Sequence, residues 1–203
     1  MIVRDARPAD VEAIAQLHLQ AFAGEIGPMV GLGYLRAFMR WFIETPEAIS
    51  LVAEADGAIV GYVFGAPDGY GPGLTRTLMP EIVLGVARNL ARVVMHSSFR
   101  RQVRSRLTNL VLRREPRSTI FEATPQRVFS LVGIGTAPHA RGQGVGQALI
   151  TELCTRADRS VILDVFKDNT AALALYARSG FRPLVTEGRV IRMIRDPGMP
   201  RHQ

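Results

Sequence analysis

Two hydrophobic periods alternate along this chain, and their order already sketches an architecture. "MIVRD" reads as a short strand. Pro8 then stands at a helix first turn, and Val11, Ile14, Leu17 and Ala21 recur at helical spacing as far as Phe22. "AGEIGPMVGLG" is expected to be a loop. Leu35, Phe38, Met39, Phe42 and Ile43 share one face of a second helix. "ISLVAEADGAIVGYVFG" reads as a hairpin, because Asp56-Gly57 between two β-rich runs is a strong turn signal. "APDGYGPG" is expected to be a loop.

Residues 79–114 break the rhythm. Val86, Leu90, Val93 and Val94 predict one amphipathic helix, and Phe99, Val103, Leu107, Leu110 and Val111 a second. Arginines 88, 92, 100, 101, 104, 106, 113 and 114 occupy the other faces. Residues 115–127 read as irregular. From residue 128 the pattern becomes strand ("VFSLVGIGTA"), glycine turn ("PHARGQG"), helix ("VGQALITELCTRA"), strand ("SVILDVF") and helix ("NTAALALYARSG"). A hairpin of "FRPLVTE" and "RVIRMIR" turns near Glu187-Gly188, and "DPGMPRHQ" is expected to fray. Strand–helix–strand–helix order implies a parallel pair inside a mixed sheet. The fold class is therefore α/β (α+β), and the whole of 1–203 is expected to be one domain carrying an insertion at about 68–127.

Composition narrows the chemistry. The 203 residues are 47% hydrophobic, enough for a sizeable core, and no window is apolar enough for a membrane span. The N-terminus carries charge at once and has no apolar signal core. Together these point to a cytoplasmic protein. Cys154 is the single cysteine, so an internal disulfide is excluded, and no metal-ligand spacing is present. The net charge is +7, and all but one of the 25 basic residues are arginine. That bias fits a GC-rich coding sequence, or an anionic partner. Phe99 is the lone aromatic among the arginines of the insert, which argues against base stacking, so no nucleic-acid partner is expected.

Gly142, Gly144 and Gly146 stand at the mouth of a helix, where each glycine costs about 1 kcal/mol against alanine. A strand feeding a glycine turn and then a helix builds an anion site: the first N–H groups lack intrahelical partners and the dipole adds positive charge. A plain tight turn is the alternative, but three glycines at alternate positions exceed what a turn needs. A Walker A loop would end in Gly-Lys-Ser/Thr, which Gln147 and Ala148 do not supply. Both G-x-G-x-x-G registers lack their third glycine, since Gln147 and Pro138 stand there.

Arg141-x-x-Gly144-x-Gly146 resembles the acetyl-coenzyme A signature of the GCN5-related N-acetyltransferases (GNAT). "LDVFKDNTAALALYARSGF" is similar to a second motif of that superfamily, and "VRDARPADVEAIAQLHLQAF" and "LVAEADGAIVGYVFG" to its first strand–helix and central hairpin. The resemblance covers nearly the whole chain; residues 68–127 depart from it. It implies a mixed sheet of about seven strands flanked by helices, and direct transfer of acetyl from acetyl-CoA to a small-molecule or peptide amine, an anionic one included, with no metal. Dimerisation is left open. It also implies that backbone groups of Arg141, Gly142, Gln143, Gly144, Val145, Gly146 and Gln147 hold the pyrophosphate, that Ile134, Gly135 and Thr136 line the cofactor arm, and that an N–H at Ile134 or Gly135 polarises the thioester. Gly133 and Gly135 inside a strand suggest a bulge or a close approach.

By the same resemblance, Tyr176 is expected to be the general acid; packing beside Leu173 and Phe181 is its other reading. Asn169 is expected to approach the cofactor arm, to cap a helix, or both. Asp164, twelve residues before Tyr176, matches a base position, or is an ordinary strand-end carboxylate; Glu25 is the alternative base. His18, His96 and His139 read as solvent or packing residues, and Cys154 as buried structure. A second function stays beside the enzyme: an arginine-rich module for an anionic membrane surface or nucleic acid on a vestigial acyl-CoA fold.

Overall fold

The computed structural model describes residues 1–22, 32–88 and 128–198. In chain order these form β1 (Ile2–Asp5), a 3-10 turn (Pro8–Asp10), α1 (Val11–Ala21), α2 (Leu32–Glu44), β2 (Ile49–Ala55), β3 (Ala58–Pro67), α3 (Gly71–Arg88), β4 (Phe129–Thr136), a second 3-10 turn (Pro138–Ala140), α4 (Val145–Ala157), β5 (Val161–Phe166), α5 (Thr170–Arg178), β6 (Arg182–Glu187) and β7 (Val190–Arg195). The strands make one seven-stranded sheet in the order β1-β2-β3-β4-β5-β7-β6.

Local chemistry places the turns. Asp56 and Gly57 both take positive φ, 51° and 75°, as the two-residue turn between β2 and β3 demands. Gly188, at φ 56°, turns β6 into β7. Asp196, just past β7, is not frayed: it accepts hydrogen bonds from Ser160 Oγ (2.9 Å) and the Arg182 guanidinium (2.9 Å), which hold its carboxyl below the usual range.

The sheet is covered on both faces around β3. Ile14, Met39 and Phe42, from α1 and α2, are fully buried on one face, where the Phe42 and Phe64 rings stack at 5.5 Å. On the other face α4 presses on β3 so closely that a Cβ at Gly61 would fall 2.7 Å from Val145 Cγ1 and 3.0 Å from Leu149 Cδ1.

One expected loop is partly helix. Residues 66–73 read as a glycine–proline loop, yet β3 runs through Pro67 and α3 begins at Gly71. Pro72 falls in the first turn, where a missing N–H costs nothing. Leu78 is buried, Leu74 packs against the core and Trp41 closes over Gly73, so tertiary packing outweighs the glycine penalty. The described part of the arginine-rich insert continues this helix to Arg88. The rest of the two expected helices, residues 115–127, His96, Glu25 and the tail from 199 lie outside the described residues.

Candidate active site

β4 is the strand around which the site is built. It pairs with β3 along its length, from Pro67↔Phe129 to Gly61↔Thr136. With β5 it pairs only at Phe129↔Val161 and Ser130↔Ile162. Beyond Ser130 the two parallel strands part, and among the described residues the β5-facing edge of residues 131–136 has no ladder partner. The parting coincides with a β-bulge: Phe64 faces Gly133 and Gly65 faces Leu131, so Val132 has no opposite number. Gly135 is a close approach. A Cβ there would lie 2.5 Å from Tyr62 Cε1 and 3.0 Å from Tyr62 Oη, so only glycine lets the Tyr62 ring lie across the strand.

The glycine loop follows β4 directly. Gly142 and Gly144 take φ of 77° and 80°, and among the described residues nothing beyond their chain neighbours stands within 4 Å of where their Cβ atoms would be. They serve the backbone turn and leave open space before it. Gly146 serves packing instead, since a Cβ there would meet Leu175 of α5 at 3.0 Å. Gly144 is the N-cap of α4 and supplies no side-chain cap, and among the described residues no side chain accepts from the N–H groups of Val145, Gly146 and Gln147. The neighbouring side chains turn aside. Gln143 donates to the His139 carbonyl at 2.9 Å, and Arg141 to the Ala21 carbonyl at 3.3 Å. The Arg141 N–H is directed at the Pro138 carbonyl, 3.4 Å away.

α5 is built differently. Asn169 Oδ1 accepts from the Ala172 N–H at 3.1 Å and caps the helix. Tyr176 is buried in the cluster that holds Leu163, Val165, Phe181 and Met193, and burial pushes its phenol up to about 12. Among the described residues its hydroxyl has no hydrogen-bond partner. Asp164 lies on the opposite, exposed face of β5. Both its oxygens accept from Arg192, at 2.8 Å each, the two residues standing directly across the β5–β7 ladder. Tyr176 and Asp164 thus approach the parted strands from opposite faces. On Asp164's side Phe166 is exposed, and the Tyr70 phenol is raised by burial and then by the charges of Asp164 and Asp68.

Sequence reasoning passed over one pair. His18 Nδ1 lies 2.5 Å from Tyr62 Oη, over Gly135. The signal was present, since His18 follows Val11 and Ile14 on the buried stripe of α1. Burial lowers its pKa. Cys154 is buried in α4, and its thiol is raised by that burial.

A family model described as the acetyltransferase (GNAT) family matches residues 12–181. The chain belongs to the GNAT family. Among curated GNAT relatives, the N-alpha-acetyltransferase RimI of Mycobacterium tuberculosis is 37% identical over 86 residues, covering 38% of this chain and 54% of that protein. A mycothiol acetyltransferase of Amycolatopsis mediterranei is 39% identical over 71 residues, covering 30% and 24%. The matched segments thus span between about a quarter and about half of those relatives. The fold of this chain is similar to that of PH1933 from Pyrococcus horikoshii OT3 (TM-score 0.61, 15% identity, 98% of this chain and 99% of that one). It is shared by a phosphinothricin acetyltransferase from Sinorhizobium meliloti, solved with AcCoA (TM-score 0.58, 18% identity, 97% and 88%). The sequence-based resemblance and the mixed seven-stranded sheet are both borne out.

Proposed function

We propose that this GNAT protein transfers acetyl from acetyl-CoA to a primary amine, working as one acetyltransferase unit with an insertion between β3 and β4. The observation that carries this reading is the parting of β4 from β5 beside a glycine-entered helix mouth. Residues present fit the co-substrate. Gly142 and Gly144 leave room before the backbone, and the N–H groups of Val145, Gly146 and Gln147 suit a pyrophosphate. The open edge of β4 at Ile134 and Thr136, on either side of Gly135, suits an amide-bearing arm, which it can pair as it would a strand.

Acetyl-CoA supplies an activated thioester; the chain supplies position and protons. On this reading the stabilisation of charge on the thioester oxygen falls to an N–H of the open edge at Ile134, since that of Gly135 faces β3. Tyr176, protonated throughout the physiological range, donates a proton to the leaving sulfur. Both oxygens of Asp164 already accept from the Arg192 guanidinium, so the carboxylate is committed to that pair. We assign the Asp164–Arg192 pair, with Phe166 and Tyr70, to the acceptor wall. The RimI relative, named an N-alpha-acetyltransferase, supports a peptide α-amine as first choice, and the mycothiol acetyltransferases support a small molecule.

The test is thiol release from acetyl-CoA by the purified chain against peptides with free N-terminal alanine, amino sugars and polyamines. Turnover with one class is expected. No turnover with any class, or no thermal stabilisation by acetyl-CoA, overturns the reading.

A further inference from the structure

Resting on that acetyltransferase reading, we propose that His18 is the proton acceptor for the incoming amine, with its Nε2 as the accepting atom, and that Tyr62 is the positioning residue that fixes the ring at Nδ1. Three observations meet here. The His18–Tyr62 hydrogen bond joins α1 to β3 at 2.5 Å. The Tyr62 ring lies across Gly135, which stands between Ile134 and Thr136, the residues whose backbone groups face the open side of β4. Tyr62 is buried at 2% exposure while His18 is only half-buried, so the imidazole edge away from Tyr62 is the one left for an outside group.

The ring has two nitrogens and one is committed. With Nδ1–H donating to Tyr62 Oη, the lone pair stands on Nε2. An ammonium acceptor must lose a proton before its nitrogen can attack. His18 takes that proton. The nitrogen then forms the new C–N bond as the C–S bond breaks. Tyr176 gives its proton to the departing sulfur and is reprotonated by the second proton the nitrogen sheds on becoming an amide. His18 returns its own proton to water, so one proton is released per turnover.

The surroundings suit a neutral base. The Phe22 ring, at the end of α1, lies tilted against the imidazole with centroids 4.7 Å apart. Arg141 reaches the Ala21 carbonyl, and Glu12 is held by Arg36 on the exposed side of α1. Across the parted strands, Asp164 is held by Arg192. None of these charges contributes to the shift of His18, which burial alone drives downward. The ring therefore stays neutral at neutral pH and becomes protonated, losing its acceptor role, as pH falls through its lowered pKa.

Two measurements test this on the full chain. The first is nitrogen NMR of the histidine rings, with His18 assigned by the loss of its signals in His18→Gln. A neutral Nδ1–H tautomer is expected, giving way to a tautomer mixture in Tyr62→Phe; an Nε2–H tautomer at neutral pH overturns the proposal without reference to any acceptor. The second is the pH dependence of kcat/KM with an alanine-start peptide, or glucosamine if the peptide is inert. Wild type should lose rate on the acid side with one ionisation. His18→Gln should lower kcat/KM by roughly 10²–10⁴-fold at neutral pH, recover part of it at high pH where the amine is already free, and leave the acetyl-CoA thermal shift intact. An acid limb that persists in His18→Gln, or that disappears instead in Asp164→Asn, refutes His18 alone. A wild-type chain that binds acetyl-CoA and acetylates no amine refutes the parent reading and this one with it.

Discussion

The chain makes the same move twice, a parallel strand followed by a turn and a helix, and finishes the two helices in opposite ways. α5 is closed by its own Asn169, whose Oδ1 takes the Ala172 N–H. α4 begins at a left-handed glycine and has no side-chain cap. The mouth of α5 is satisfied from within, and that of α4 is left for something from outside. Both are packed, since Gly146 of α4 meets Leu175 of α5. The difference lies in polar satisfaction, and on the proposed function it separates the helix given the proton donor from the helix given the pyrophosphate.

The sharpest way to probe the self-capped helix is to remove its donor. Tyr176→Phe keeps the ring against Phe181 and deletes the proton. Turnover should fall by roughly 10²–10⁴-fold while acetyl-CoA still stabilises the fold, as stopped-time assays and thermal scans will read. The same residue makes a pH prediction. The folded phenol ionises at about 12 and an exposed one near 10. Between those values the unfolded chain sheds a proton that the folded chain keeps. Stability from this group is complete below pH 10 and is lost as pH rises toward 12. Alkaline melting curves of Tyr176→Phe should lack that loss; curves that superimpose on wild type would contradict a buried phenol.

The open helix mouth can be closed by substitution. Gly144→Asp places a carboxylate where an anion would sit, in a backbone conformation that L side chains rarely adopt. At a hundredfold excess over Kd, a ligand stabilises a fold by about 2.7 kcal/mol, or roughly 5–10 °C for a chain of this size. Wild type should show such a rise with acetyl-CoA and the variant none. An undiminished rise would remove the cradle from α4.

Opening the other mouth should matter least. Asn169→Ala should cost about 1 kcal/mol of stability, the usual worth of an N-cap. Asn169→Asp keeps the capping oxygen and loses the amide donor. It should hold its melting temperature within a degree or two and bind acetyl-CoA more weakly if the Nδ2 group serves the cofactor arm. Unchanged affinity would confine Asn169 to capping.

What could be read from the sequence was what is local. The Asp56-Gly57 turn, the buried stripe of α2 and the glycine entry to α4 each depend on residues within a few positions of one another. The bulge and close approach in β4 were also legible, because glycine inside a strand is a local anomaly. The side-chain pairs on which the proposals rest are not local. His18 meets Tyr62 across 44 positions, and Asp164 meets Arg192 across 28. No period in the sequence couples them. Strand order implied that β4 and β5 run parallel but not that their ladder stops after two pairs, because where strands part is set by the whole sheet. The start of α3 at Gly71 was hidden for another reason: "GPG" carries a strong turn preference that Trp41 and Leu78 override only once the chain is packed.

The two bare positions of β3, Gly61 and Gly65, have a consequence for how this protein can diverge. Gly61 lies against Val145, the first residue of α4, and Gly65 lies 3.0 Å from Leu153 further along the same helix, measured from where a Cβ would be. The mouth of α4 is therefore seated from behind, through the sheet. A methyl group added at position 61 would lift the first turn of the helix and with it the row of N–H groups. Among variants, that site would behave like a contact of the proposed pyrophosphate cradle while standing behind it, and inheritance of the glycine loop would be tied to inheritance of a strand some eighty positions earlier in the chain.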